Sequence, residues 1–376
     1  MTFRNALFQV HWFLGITAGL VLALVGATGA ILSFEDDILR ALNPGVLSVE
    51  PAARAALPPS SLVERVAARR PGEAIASLAL SSDPRDPAEV RLAPKDGERR
   101  GQQLALDPYT GDVLPEPRYQ GFFRTTMQLH RWLVAGDIGK QVVGAATVVL
   151  VFFCLSGLYL RWPRRGGNLR TWLALDWRQK GRAFLWRLHA VVGTWVLLAY
   201  LVMALTGLWW SYGWYREAVD AWAAGGVEAT ADVAQPRERG TPPPVDIDAA
   251  WAAFAATVPA WGAATLSLPE GDEPLAFRYL DADPAHERAR NSLGLDRWTL
   301  APVEHVRYDE GTLRQKIGAS MFALHRGSFF GTAGVVAFML ASLAMPLFAL
   351  TGWMLYLDRR RRSSRITSAS PPPSRT

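Results

Sequence analysis

Four of the six histidines stand at matched positions in the sequence. They are His11, His130, His189 and His325. The first and third precede a hydroxyl–glycine pair by 17 residues, and the second and fourth precede one by 26 residues. The four pairs are, in chain order, Thr28-Gly29, Ser156-Gly157, Thr206-Gly207 and Thr351-Gly352. This spacing indicates that one unit occurs twice. The four histidines also indicate metal chemistry, because neutral imidazole is the commonest metal ligand.

The residue types narrow the choice of metal. Cys154 is the single cysteine, which excludes disulfides, iron–sulfur clusters and, without a C-x-x-C-H motif, covalent haem. Two histidines at one site are too few for zinc, whereas copper remains open. Haem iron needs two axial ligands, because the porphyrin supplies four nitrogens. Met127 and Met321 precede the outer histidines as alternative ligands, although packing is the favoured role.

The elements that position these histidines are four stretches without Asp, Glu, Lys or Arg. They cover residues 5–34, 141–160, 188–215 and 327–357. About 20 apolar residues cross a hydrocarbon core of about 30 Å, so we predict four transmembrane helices. His11 and His189 lie near the start of the first and third, and His130 and His325 lie just before the second and fourth. One pair is therefore expected near each membrane face, and each suits a bis-histidine b haem.

A flat porphyrin needs small and aromatic residues beside it. Six glycines could open that space, namely Gly15, Gly19, Gly139, Gly144, Gly193 and Gly334. Four tryptophans could line it, namely Trp12, Trp132, Trp186 and Trp195. Taken singly, each residue is better explained by helix packing or an interfacial belt. His286 and His305 fall outside the pattern and are interpreted as surface or strand residues.

The charges between the apolar stretches predict orientation. Segment 161–187 holds eight Lys and Arg residues and one acid, and the segment after Leu357 holds six Arg residues and one acid. Segments 36–129 and 216–324 hold 12 and 10 basic residues against 13 and 17 acidic ones. The positive-inside rule therefore places both termini in the cytoplasm of a bacterial inner-membrane protein, with both long segments in the periplasm. The net charge of +6 thus reports topology and implies no nucleic-acid partner.

Each long segment is expected to form an α+β module, with one helix followed by antiparallel strands. Residues 60–64 resemble a capping box that opens the first of these helices. The predicted fold class is an α-helical membrane protein of two helix–module–helix repeats. The predicted parts are helix 1–35, module 36–128, helix 129–162, basic loop 163–183, helix 184–215, module 216–322, helix 323–358 and disordered tail 359–376.

The chain resembles the PepSY-associated transmembrane proteins. The resemblance rests on the His11 helix, the Asp-Pro-Tyr-Thr-Gly turn at 107–111, Leu-His-Arg at 129–131 and the run from Ser156 to Pro163. The second module departs from the pattern, because residues 295–299 lack the Pro and Gly of that turn. Within the family, the chain is similar to the di-haem ferric-siderophore reductases of the ferrioxamine-reductase type. The likeness covers about residues 5–360.

That resemblance implies two b haems, ligated by His11 with His189 and by His130 with His325. It implies reduction of a periplasmic ferric siderophore, of hydroxamate type, with release of Fe(II). The electron donor is then separate, either the quinone pool or a cytoplasmic reductase, and membrane lipid surrounds the helices. Possible contacts of the haem propionates or the chelate are Arg124, Arg131, Lys316 and Arg326. The alternatives are a non-redox, membrane-anchored regulatory or inhibitory module and a metal or haem permease.

Overall fold

The computed structural model describes residues 2–95, 97, 100–162, 169–224, 244–269, 271 and 273–368. The chain divides into two compact units. The helical unit comprises Met1–Phe34, Phe122–Ala218 and Leu324–Thr376. The sheet unit comprises Glu35–Gly121 and Val219–Ala323.

Four long helices dominate the helical unit. They are α1 (Phe3–Leu32), α5 (Gly136–Arg161), α7 (Gly181–Ser211) and α11 (Gly331–Ser368). In the described chain, Phe3–Leu32, Gly136–Arg161, Gly181–Ser211 and Ser328–Arg361 are long and apolar enough to cross a membrane. The protein is therefore a membrane-spanning one, as its charge-free stretches predict. Each long helix packs against two others, since α1 and α7 both contact α5 and α11.

The shorter helices of the chain connect the long helices or belong to the sheet unit. They are α2 (Glu35–Leu42), α3 (Pro59–Arg69), α4 (Gln120–Trp132), α6 (Leu169–Leu173), α8 (Gly213–Ala224), α9 (Ile247–Thr257) and α10 (Leu313–Arg326). Residues 129–162, predicted as one helix, are two, because Leu133 and Val134 adopt positive φ angles of 50° and 55°. Residues 323–358 are likewise divided, because Gly327, with φ +88°, separates α10 from a short 3₁₀ turn that leads into α11. His130 and His325 therefore lie on short helices that precede the spans.

One antiparallel sheet of seven strands forms the sheet unit. The strands are β1 (Ile75–Ser81), β2 (Ala88–Leu92), β3 (Gln103–Leu106), β4 (Trp261–Ser267), β5 (Leu275–Asp281), β6 (Asn291–Leu295) and β7 (Pro302–Val306). Their order is β3-β2-β1-β4-β5-β6-β7. The two predicted modules thus share a single sheet, joined where Leu78 of β1 pairs with Leu266 of β4.

The core of the sheet unit lies between the sheet and helices α3 and α9. Leu62 and Val66 of α3 are buried, and the ring of Phe254 in α9 stacks on Phe277 of β5 at 4.5 Å. The predicted capping box is absent at the start of α3, where the N-cap is a proline without a side-chain bond. Instead the Ser60 amide and hydroxyl donate to the Asp248 carboxylate at 2.9 and 2.5 Å. These bonds join α3 to α9.

The turn after β3 and the turn after β6 have the same hydrogen-bond pattern. Asp107 accepts from the amides of Tyr109 and Thr110, and Asp296 accepts from the amides of Trp298 and Thr299. Gly111 and Leu300, each four residues after its aspartate, have φ angles of +69° and +57°. The second turn therefore keeps the geometry without the glycine, since its aspartate supplies the same two bonds.

The segment after Leu357 continues as helix α11 to Ser368, within the part expected to be disordered. The remainder of that tail, 369–376, lies outside the described residues, as do 163–168 of the predicted basic loop.

Candidate metal centres

The four histidines of the repeat are each hydrogen-bonded to a hydroxyl side chain of a different helix. The Nδ1–oxygen distances are 2.8 Å for His11 and Ser156, 3.2 Å for His130 and Thr28, 2.8 Å for His189 and Thr351, and 2.9 Å for His325 and Thr206. These hydroxyls belong to the four hydroxyl–glycine pairs that mark the spacing in the sequence. Sequence reasoning found the four hydroxyls but missed their role, because the bonds join different helices.

The four histidines lie in the helical unit as two pairs, each at its own level along the helices. The first level holds His11 on α1 and His189 on α7, and the second holds His130 on α4 and His325 on α10. Thr28 lies 17 residues beyond His11 on the same helix. At about 1.5 Å per residue, the two levels are roughly 26 Å apart along α1.

A cavity of about 890 Å³ lies at the first level, and both His11 and His189 line it. Its volume falls within the roughly 300–1,000 Å³ of ligand pockets. Three of its lining glycines, Gly15, Gly19 and Gly352, have no atom within 4 Å of an added Cβ. The glycines therefore leave open space in the cavity that the two imidazoles line, as a porphyrin would require.

Aromatic side chains complete the walls of this cavity. The ring of Phe153 lies 4.9 Å from the His11 ring, and the ring of Phe348 lies 5.0 Å from the His189 ring. Trp12 stacks on Tyr356 at 5.2 Å with an interplanar angle of 16°. Of the predicted tryptophans, Trp12 and Trp186 line the cavity. Phe348, a lining residue that sequence reasoning missed, lies three residues before Thr351 and so on the same helix face.

Cationic side chains also line the cavity. Arg4, Arg182, Arg359 and Arg360 belong to its wall. Arg182 lies 3.4 Å from the Asp358 carboxylate, and the Arg359 guanidinium lies 5.4 Å from the Phe8 ring centre. Guanidinium groups bind carboxylates, so this set suits an apolar ligand with acidic substituents.

At the second level, the rings of His130 and His325 have their centres 6.2 Å apart. Two imidazoles that bind one iron from opposite sides, with nitrogens about 2.0–2.1 Å from the metal, place their ring centres roughly 6 Å apart. Glycines again adjoin the rings. An added Cβ would lie 3.0 Å from the His130 Cε1 at Gly29, and 3.5 Å from the His325 Cε1 at Gly207. The spacing therefore fits a pair of axial ligands.

Burial lowers the pKa of His130, and it lowers the pKa of His325 to about 4. Both imidazoles are thus neutral at physiological pH, which is the form that binds metal. No group of three or more His, Cys, Asp or Glu side chains within the described ranges is arranged to hold a bare metal ion. Pairs of histidines fit haem iron better than zinc, which takes three or four protein ligands.

The residues predicted to flank the outer histidines are held in different ways. The Arg131 guanidinium lies 4.3 Å from the Trp132 ring centre, and the Arg326 Nε donates to the Ser33 carbonyl at 3.0 Å. Arg124 is exposed on α4. In the sheet unit, the Lys316 ammonium donates to the Asp309 carbonyl at 2.6 Å. Met321 is buried and Met127 half-buried, as packing residues are.

Three of the six glycines assigned to the haem space, Gly15, Gly19 and Gly193, line the cavity. The other three pack elsewhere. An added Cβ at Gly139 would clash with the backbone of Trp132, and one at Gly334 would clash with the backbone of Gly327. An added Cβ at Gly144 would lie 2.8 Å from the Tyr212 hydroxyl. Because a close turn and an open cavity both select glycine, residue type does not separate them. Trp195 is half exposed, with its indole donating to the Leu173 carbonyl at 3.1 Å.

The remaining two histidines lie in the sheet unit. His286, interpreted as a surface or strand residue, is 5% exposed, and its Nε2 lies 3.1 Å from the hydroxyls of both Tyr308 and Ser320. That interpretation is wrong for His286. His305 lies on strand β7 and bonds the Tyr279 hydroxyl at 2.6 Å.

The fold and the site define a membrane-spanning protein with four apolar helices and an antiparallel sheet, in which two of the apolar helices and two shorter helices carry paired histidines. The chain matches the family described as the PepSY-associated TM region over residues 8–359, and it belongs to that family. It is also 31% identical over 161 residues to an uncharacterised protein of Pseudomonas aeruginosa. That match covers 38% of this chain and 37% of the relative, so the two are compared over little more than a third of each length.

Proposed function

We propose that the protein is a di-haem b oxidoreductase of the bacterial inner membrane that reduces a periplasmic ferric siderophore and releases Fe(II). The observation that carries the proposal is the presence of two histidine pairs at two levels, roughly 26 Å apart. His11 with His189 would hold one haem, and His130 with His325 the other. When bound, haem supplies one-electron chemistry between ferric and ferrous iron.

The residues of the first level support this role in three ways. Gly15, Gly19 and Gly352 leave a slot free of side chains, and Phe153 and Phe348 border it with apolar rings. Arg161 lines the cavity together with the four arginines already named, and this set would bind the two propionates. A helix-packing role alone would not require so large a cavity lined by two half-buried histidines.

The charge distribution supports the direction of electron flow. The segment that follows α5 and the part of the chain after Leu357 are rich in arginine, which by the positive-inside rule belongs in the cytoplasm. The first level then faces the cytoplasm, where a separate reductase or the quinone pool would donate electrons. The second level faces the periplasm, where electrons would leave. The repeated spacing of histidines and hydroxyls, together with the strand order outward from β1 and β4, supports a duplicated unit.

The choice of substrate rests on the family resemblance and on iron chemistry. A hydroxamate siderophore is built from hard oxygen donors, which hold Fe(III) far more firmly than Fe(II). One electron delivered to the chelate therefore loosens it, and Fe(II) leaves. Arg124, Arg131 and Arg326 adjoin the second-level histidines in sequence, and they would bind either propionates or an anionic chelate.

The proposal is tested with purified, dithionite-reduced protein under anaerobic conditions. A stoichiometric ferric hydroxamate is added, and a chromophoric Fe(II) chelator traps the product while the haem spectrum is followed. We expect haem reoxidation and one Fe(II) per electron. His325→Ala should slow the reaction at least tenfold. Reduced protein that keeps its spectrum with ferric hydroxamate, yet reoxidises with ferricyanide, would contradict the substrate assignment.

A further inference from the structure

Each of the four hydroxyls bonded to a repeat histidine has already donated its proton. The acceptors are backbone carbonyls one turn earlier in the same helix. The donor–acceptor distances are 2.8 Å for Thr28 and Leu24, 2.6 Å for Ser156 and Phe152, 2.6 Å for Thr206 and Val202, and 2.8 Å for Thr351 and Leu347. A hydroxyl has a single proton, so its oxygen must accept from the imidazole.

This direction fixes the histidine tautomer. With Nδ1–H donating to the hydroxyl, the proton is absent from Nε2, whose lone pair is free to bind a metal. The same arrangement occurs at all four histidines, and at each of them donor and acceptor lie on different helices.

We propose that Thr28, Ser156, Thr206 and Thr351 are positioning residues that hold their histidines in the Nδ1–H tautomer, with Nε2 ready for haem iron. This inference rests on the proposed di-haem function. A hydroxyl oxygen is a weaker acceptor than a carboxylate, so it orients the ring without drawing it toward imidazolate. An acceptor on the distal nitrogen raises ligand basicity, and loss of such a partner typically lowers metal affinity about 10- to 100-fold.

The structure predicts that the four sites do not depend equally on their hydroxyls. The Nδ1 of His130 lies 2.9 Å from the Val25 carbonyl as well as 3.2 Å from Thr28. Among the described residues, His189 has Thr351 as its Nδ1 partner, at 2.8 Å, with no second acceptor shown. Removing the Thr351 hydroxyl should therefore disturb the first-level haem more than removing the Thr28 hydroxyl disturbs the second-level haem.

Two matched pairs of variants test the inference in the full-length protein loaded with haem. Thr351→Val keeps the shape of the side chain and removes the hydroxyl, whereas Thr351→Ser keeps the hydroxyl and removes the methyl group. Thr28→Val and Thr28→Ser form the second pair. The readouts are the midpoint potential of each haem by redox titration and the low-spin ferric signal by electron paramagnetic resonance.

Thr351→Val should move the first-level midpoint potential to more positive values, because the weaker imidazole donor stabilises ferric iron less. Thr351→Ser should titrate as wild type, and Thr28→Val should produce a smaller shift at the second level. The inference is overturned if Thr351→Val titrates as wild type, or if Thr351→Ser shifts as far as Thr351→Val, since shape is then the cause. If the wild type binds two haems and the variants show no shift, only this inference is overturned. If the wild type binds no haem, the proposed function is overturned as well.

Discussion

Gly29→Ala is expected to abolish axial ligation at the second level while leaving the first level intact. The added Cβ would lie 3.0 Å from the His130 Cε1. This separation is tighter than the about 3.5–4.0 Å of carbon atoms in ordinary contact, so the imidazole must retreat by a few tenths of an ångström. Ligand–metal distances at a functional site hold within about ±0.2 Å. The displacement therefore exceeds this tolerance.

Gly207 and Gly157 provide matched controls, because each belongs to another of the four hydroxyl–glycine pairs. An added Cβ would lie 3.5 Å from the His325 Cε1 at Gly207 and 3.7 Å from the His11 Cε1 at Gly157, which are ordinary contacts. Gly207→Ala and Gly157→Ala should keep both haems. Helix stability cannot explain a loss at Gly29, because alanine favours a helix interior over glycine by about 1 kcal/mol.

The assay is pyridine haemochrome quantitation of haem per chain, with the absorption spectrum of the reduced protein and size-exclusion chromatography to verify folding. Gly29→Ala should elute as wild type and hold about one low-spin haem per chain, half the wild-type value. The reasoning is refuted if Gly29→Ala retains two low-spin haems, or if Gly157→Ala loses as much haem as Gly29→Ala.

Three further predictions follow from the same geometry. His325→Ala should lose the second-level haem alone, and loss of both haems would contradict independent sites. Gly19→Leu should fill the first-level cavity, where an added Cβ meets no atom within 4 Å, and haem per chain should fall by half. Burial lowers the pKa of His286, so the unfolded chain takes up its proton first and stability falls as pH drops below about 6.5. His286→Gln should therefore reduce the loss of thermal stability between about pH 7.5 and pH 5.5, measured by differential scanning fluorimetry, and an unchanged loss would contradict this role.

The spanning helices and the histidine positions were predictable because both patterns are local. An apolar run without charges identifies a span, and a repeated interval of 17 or 26 residues identifies matched positions. The separation of α4 from α5 was not predictable, because it depends on positive φ angles at Leu133 and Val134, residue types that rarely adopt them.

The pairings between distant segments were also not predictable from the sequence. The single sheet depends on β1 pairing with β4, which are separated by most of the first module and two long helices. Strand β6 is hard to recognise in the sequence because Asn291, Ser292 and Gly294 interrupt its apolar pattern, although Leu293 and Leu295 are fully buried. The hydroxyl partners of the histidines likewise required the helices to be packed, since spacing along one helix does not reveal a bond to another.

The central claim is that each chain holds two b haems, one at each level of the helical unit. The most direct measurement is haem per chain, with reduced-minus-oxidised spectra, for the wild type, His11→Ala and His130→Ala. We predict two haems in the wild type and one in each variant, with different α-band positions in the two variants. A folded wild-type protein that is colourless and stays haem-free after reconstitution would contradict the account.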